Sequence, residues 1–210
     1  GYNRLLLGEK VGTLNPEQER FLRESNKSCQ RLSYFIGNLL EAAREVSGDG
    51  ALEVCEIPIG GTIEGVATNL KPLLEEHRLE IRLALDPAQP CARFDPLRIE
   101  QVVTNLIGNA IKFACVGSTI EIESRRVMHE QRPFVEVSVA DRGPGVAPED
   151  RERIFEPYVR VGEGSSSGGL GLGLAICRRI VVAHGGVIGH EAREGGGSRF
   201  VFRLPGAETI

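Results

Sequence analysis

The sequence predicts an α+β fold, a two-layer sandwich whose mixed sheet is covered on one face by helices, preceded by one long helix of a helical bundle. Three observations carry this. Before Gly48-Asp49-Gly50 apolar residues recur every three and four positions, whereas after it short alternating strands mix with helical patterns. The strands come in adjacent runs with helices between them, which gathers the helices on one side of the sheet. Residues 98–113 read as a helix that is apolar on one side and carries two asparagines and a lysine on the other.

The elements follow in order. Residues 16–47 read as a helix, with Asn15 as cap, Pro16 at the first helical position and acids at Glu17 and Glu19. Phe21, Ser25, Ser28, Leu32, Phe35, Leu39, Ala42 and Val46 form a heptad stripe, widened by Leu22, Cys29, Ile36, Leu40 and Ala43. A face that wide suits a bundle better than a two-stranded coil, although Gly37 weakens the helix midway. Residues 2–7 read as the end of an earlier helix. The expected organisation is a partial helical hairpin over 1–48, a second domain over 51–205 and a tail at 206–210.

In the second domain residues 62–77 read as a helix and 79–85 as a strand. Asp95-Pro96 caps the asparagine-bearing helix and places proline at its first position. Residues 119–124 alternate with Ile120 and Ile122 inward, and Val135, Val137 and Val139 repeat the pattern. A helix over about 172–184, a strand near Val187 and a last strand over 199–204 complete the domain.

Composition bounds the function. With 210 residues, 41% apolar and 26% charged, the chain holds one well-buried domain and an appendage. Aromatics at 5% and no Trp imply an aliphatic core. A net charge of -4 argues against a broad nucleic-acid surface. No apolar run reaches the roughly 20 residues that span a bilayer, so this chain reads as cytoplasmic, with a membrane anchor elsewhere in a longer protein left open. Cys29, Cys55, Cys91, Cys115 and Cys177 are odd in number, scattered and without a C-x-x-C pair, which disfavours a disulfide framework or a zinc site.

Three motifs bear chemistry. Asn105, Asn109 and Lys112 share one helix face, where two carboxamide oxygens and an ammonium suit a hydrated Mg²⁺ and a phosphate. Asp141-Arg142-Gly143-Pro144-Gly145 follows a strand, so a carboxylate projects from a rigid end beside glycines that let backbone approach a flat ligand; an Asp accepting from an exocyclic amine selects adenine over guanine. Gly168-Gly169-Leu170-Gly171-Leu172-Gly173-Leu174 opens a helix, and N–H groups there bind phosphate. No Gly-Lys-Ser/Thr follows, so it is not a P-loop, and Leu174 occupies the third glycine of a dinucleotide fingerprint. Between these lie Phe155-Glu156-Pro157-Tyr158 and a Gly- and Ser-rich stretch, which reads as a lid anchored by two aromatics with Arg160 in reach of a terminal phosphate.

In that order, Asn105-x-x-x-Asn109-x-x-Lys112-Phe113, Asp141-x-Gly143-x-Gly145, Phe155-x-x-Tyr158 and Gly169-x-Gly171-Leu172-Gly173-Leu174 resemble the asparagine, first glycine, phenylalanine and second glycine boxes of sensor histidine kinases, within the gyrase, Hsp90, histidine kinase and MutL superfamily. His184-Gly185-Gly186 and Gly197-Ser198-Arg199-Phe200 onward are similar to its closing strands, and the resemblance covers about residues 51–205.

The resemblance implies a Bergerat-type ATP-binding fold that binds ATP and Mg²⁺. Asn105 and Asn109 would ligate the metal, Lys112 and Arg160 would meet phosphates, and Asp141 would read adenine in a pocket shaped by Gly143 and Gly145. Phe113, Phe155, Tyr158, Leu170, Leu172 and Leu174 complete the implied ATP site, and Gly169, Gly171 and Gly173 would hinge the lid. Ala114, Tyr158 and Leu170 depart from the usual residues without removing a charge or a ligand.

Residues 1–47 resemble the end of the first and all of the second helix of a dimerisation and phosphoacceptor domain, which places the phosphorylated His about three helical turns before Gly1. His77, His129, His184 and His190 each read as structural or solvated, so none takes that role. The implied reaction moves the ATP γ-phosphoryl to a His and then to an Asp of a response-regulator receiver domain, in a protein that dimerises through its helices. ATP hydrolysis is disfavoured, since those branches place a Glu general base where Asn105 stands. The remaining alternative is a nucleotide-responsive interaction module without transfer activity.

Overall fold

Sequence periodicity becomes architecture in two compact units, Gly1–Ala51 and Leu52–Ile210. The computed structural model describes residues 12–22, 24, 25, 28, 52–129, 131–161, 171–193 and 195–207. The expectations for residues 2–7, for the stripe beyond Ser28, and for Gly169 and Leu170 lie outside these. In the first unit residues 16–22, 24, 25 and 28 are helical. Asn15 Oδ1 accepts from Gln18 N at 2.8 Å and Gln18 Oε1 accepts from Asn15 N at 3.0 Å, a reciprocal cap that satisfies two donors at once.

The second unit runs β1 (Cys55–Pro58), α1 (Ile59–Glu76), β2 (Glu80–Ala84), β3 (Cys91–Phe94), α2 (Pro96–Phe113), β4 (Thr119–His129), β5 (Arg132–Ala140), short 3-10 turns at Pro148–Asp150 and Arg153–Phe155, α3 (Gly173–Ala183), β6 (Val187–Ala192) and β7 (Ser198–Pro205). Five strands form one sheet in the order β2-β4-β5-β7-β6. β2 is parallel to β4 and every other pair is antiparallel, which is the mixed sheet the sequence predicts.

Asp95 starts α2 as predicted: Oδ1 accepts from Leu97 N at 3.0 Å and Arg98 N at 3.3 Å. Ile99, Val102, Val103, Leu106, Ile107 and Ala110 then pack in one core with Ile120, Ile122, Val135, Val137 and Val139 of the sheet. Each fully buried Ile, Leu or Val contributes about 1.5–3 kcal/mol, so this seam dominates the domain's cohesion. Phe113, expected on the apolar side, is 42% exposed, because α2 ends there and its ring lies under Lys112 Nζ at 4.7 Å instead.

Several boundaries differ from expectation. α1 begins at Ile59 rather than 62, since buried Ile59 and Ile63 draw its first turn onto the core through Gly60-Gly61. β4 continues to His129 because it stays paired with β5 as far as Arg132. β1 and β3 form an antiparallel pair that the sequence reading does not contain.

Alternation along β5 puts Glu136 and Ser138 on the sheet face opposite the helices. Glu136 is nonetheless only 3% exposed: Arg125 Nε donates to it at 2.8 Å and Arg203 Nε at 2.7 Å. Arg199 reaches Ser138 Oγ at 3.2 Å and Glu123 at 3.3 Å, while Glu121 pairs with Arg82 and Arg193. Cross-strand ion pairs thus cover the face that no helix covers.

Candidate functional site

Backbone contacts bring the motifs to one end of the helical layer. The C-terminal end of α2 meets the turn after β5 where Cys115 N donates to Arg142 O at 3.3 Å. Gly143 is required at that contact, since a Cβ would stand 2.7 Å from Phe113 O. The C-terminal end of α2 therefore adjoins Asp141-x-Gly143, and Gly145 abuts the backbone of Gly197.

Asp141 is 3% exposed, and its Oδ1 accepts from Gly143 N at 2.7 Å. Burial holds its carboxyl above the ordinary range, and the backbone N–H groups of Gly143 and Ser198 together with Arg193 pull it part of the way back. Its own N–H donates to Ser198 O at 2.9 Å, so the first residue of β7 locks the strand end that aims the acid. The sequence carries that support only as a glycine run before the last strand.

Lys112 and Arg160 form a cationic pair. Burial, and then the Arg160 charge, lower the Lys112 pKa, which means the two like charges face each other closely enough to repel. A polyanion between them relieves that repulsion.

The described residues on either side of the expected lid are clasped together. Tyr158 N donates to Gly171 O at 3.0 Å, with Tyr158 at φ 66° and Gly171 at φ 71°. A Cβ on Gly171 would lie 2.7 Å from Val159 O, so only glycine closes this clasp. The two aromatics separate: Phe155 is buried, with its ring edge-on to Phe200 at 6.4 Å, whereas Tyr158 is 70% exposed. Phe155 is therefore held by the core, whereas Tyr158 faces outward. Leu172 and Leu174 pack partly onto the same core, which explains the alternating leucines.

From the other stem, Gly173 begins α3, and Asn105 Nδ2 donates to Gly173 O at 3.5 Å. Asn105 and Asn109 lie one turn apart and half-buried on α2. Two hard carboxamide oxygens at that spacing fit a hydrated Mg²⁺ better than a softer metal. A hollow of about 540 Å³ lined by Glu80, Arg82, Leu83 and Glu121 lies at the β2 edge, away from all of these groups.

His184 has a purely architectural place. It is buried at the end of α3, where its Nε2 accepts from Asp95 N at 2.9 Å and its Nδ1 donates to Ile180 O at 2.7 Å. Among the described residues no helix is long and apolar enough to cross a membrane.

The family model described as histidine kinase-, DNA gyrase B-, and HSP90-like ATPase matches residues 94–208. The adaptive-response sensory kinase SasA of Synechococcus sp. (strain JA-2-3B'a(2-13)) is 34% identical over 197 residues, 93% of this chain and 52% of that protein. The chain thus spans about half the length of that relative. Full-length ShkA, solved in complex with AMPPNP, superposes with a TM-score of 0.74 at 32% identity over 99% of this chain and 42% of that one. The nucleotide-free catalytic domain of the histidine kinase ThkA superposes with a TM-score of 0.63 at 32% identity, covering 73% of this chain and 97% of that domain.

Proposed function

The chain belongs to the histidine kinase-, DNA gyrase B- and HSP90-like ATPase family, and on that premise we propose that it is the ATP-binding catalytic part of a sensor histidine kinase. The observation that carries this reading is the convergence of a buried Asp141, an asparagine pair on α2 and the mutually repelling Lys112 and Arg160 at one end of the helical layer. The kinship with sensory kinases such as SasA and the AMPPNP complex of ShkA support it.

Each group has a task. Asp141 accepts from the adenine exocyclic amine; guanine presents a carbonyl oxygen there and is repelled. Lys112 and Arg160 neutralise the phosphate chain, and the Gly171–Gly173 stem brings backbone and the start of α3 to it. Asn105 and Asn109 hold Mg²⁺, which when bound supplies further charge neutralisation at the phosphates. A phosphoacceptor imidazole nitrogen attacks the γ-phosphorus, the bond to the β–γ bridging oxygen breaks, and ADP leaves; the phosphoryl group then passes to a receiver-domain Asp of a response regulator. In such a transfer the protein acts by positioning and by charge, which suits this residue set. Dimerisation through the helical region belongs to the same proposal.

The test pairs binding with transfer. Calorimetry with a non-hydrolysable ATP analogue, with and without Mg²⁺ and against a GTP analogue, is expected to give metal-dependent, adenine-selective binding. A fragment bearing a phosphoacceptor His from such a helical hairpin is expected to become phosphorylated in trans. Binding without transfer leaves a nucleotide-responsive module, and no binding removes both readings.

A further inference from the structure

Asn105 is a metal ligand only if its carboxamide presents oxygen, and the two ends of that group differ by a half-turn about one bond. What surrounds the other end therefore decides the site. Gly173 O, at 3.5 Å from Nδ2, is a pure acceptor. The side chain of Cys177, one turn further along α3, also hydrogen-bonds the Asn105 amide. Its Sγ lies 3.8 Å from Val102 O, a carbonyl that accepts only. The thiol hydrogen is thus committed to Val102, and the sulfur lone pairs face Asn105. Cys177 is completely buried, so water does not compete for these contacts.

We propose that Cys177 is a positioning residue for the metal: its sulfur and Gly173 O hold the Asn105 amide nitrogen against α3, which turns Oδ1 away from those acceptors as the ligating end. The relay Asn105 N–H to Cys177 S–H to Val102 O starts and ends on α2, three residues apart, and passes through α3. It couples the metal-ligating side chain to the helix that grows out of the lid stem. Apolar replacement removes the sulfur acceptor and so loosens the hold on the amide.

This rests on the reading of Asn105 and Asn109 as Mg²⁺ ligands, and the experiment separates the two. Mn²⁺ binding is followed by electron paramagnetic resonance at saturating non-hydrolysable ATP analogue, and metal-free analogue binding by calorimetry, for the wild-type chain, Cys177→Ala, Cys177→Val and Cys177→Ser. Cys177→Ala and Cys177→Val are expected to weaken Mn²⁺ about fivefold, the equivalent of one net hydrogen bond, with metal-free affinity unchanged. Cys177→Ser keeps a donor and an acceptor and is expected to restore most of the loss. The alanine leaves a small void and the valine overfills slightly, so a folded variant of one kind remains if the other fails. Wild-type Mn²⁺ affinity in either folded apolar variant overturns the proposal, as does an equal loss of metal-bound and metal-free affinity, which marks a packing defect. Absence of metal-dependent binding in the wild-type chain instead defeats the ligand reading itself, and this proposal with it.

Discussion

In the proposed site a single carboxylate carries the adenine specificity, and its burial makes it sensitive to pH. The raised pKa of Asp141 means that acidification converts it to the neutral acid before an ordinary Asp is protonated. The neutral form offers a weaker acceptor to an amine. ATP-analogue affinity is therefore expected to fall on acidification above the usual Asp range, and Asp141→Asn is expected to lose adenine recognition at every pH. Calorimetric titrations at stepped pH check both; a flat wild-type profile, or wild-type affinity in Asp141→Asn, refutes the assignment. The helical part of the candidate site was legible, because Asn105, Asn109 and Lys112 share a helical face whatever packs around them. The separation of Phe155 from Tyr158 was not, since a buried and an exposed aromatic leave the same mark in sequence. Cys177 was invisible as anything but core: its partners Val102 and Asn105 lie more than 70 residues away, and only the packing of α2 against α3 unites them.

Between the elements, His184 is the joint that seats α2 against α3. Its two ring nitrogens face an acceptor, Ile180 O, and a donor, Asp95 N, so one tautomer satisfies both buried groups. Asp95 in turn caps α2 and accepts from Glu53 N at 3.1 Å, so one cluster gathers three segments. His184→Ala strands the Asp95 N–H in a buried place and is expected to cost about 1–3 kcal/mol in urea unfolding. A change within about 0.5 kcal/mol would show that water replaces the ring. Sequence reading recovered α2 and its cap because cap chemistry is local. It missed β1 and β3 because each has only four residues, and β1 buries none of them, so alternation has too few positions to register. The start of α1 was misplaced for a related reason: Gly60-Gly61 is a breaker locally, and the burial of Ile59 overrides it.

For the whole domain, two buried acids act on stability with opposite signs. Burial alone would raise the Glu136 carboxyl, but hydrogen bonds and charge from Arg203 and Arg125 outweigh it and hold the pKa below the ordinary value. A depressed folded pKa contributes stability that is present above the unfolded value and is lost as pH falls through the folded one. Asp141 does the reverse: with a raised folded pKa the native state takes up its proton first, so stability rises as pH falls through that value. On acidification from neutrality the Asp141 gain sets in above the ordinary Asp value, and the Glu136 loss is complete only below the ordinary Glu value. Glu136→Gln keeps the shape of the side chain inside the Arg125 and Arg203 pair but removes its charge. It is expected to cost about 1–2 kcal/mol near neutrality, discounted because both arginines reach solvent, and to flatten the acid limb of the stability curve. Urea unfolding of wild type, Glu136→Gln and Asp141→Asn from about pH 7 to about pH 3 separates the two contributions. An acid limb equally steep in Glu136→Gln would mean that the arginine ladder on the helix-free face of the sheet is solvated decoration and that the β4–β5–β7 core alone holds the domain closed.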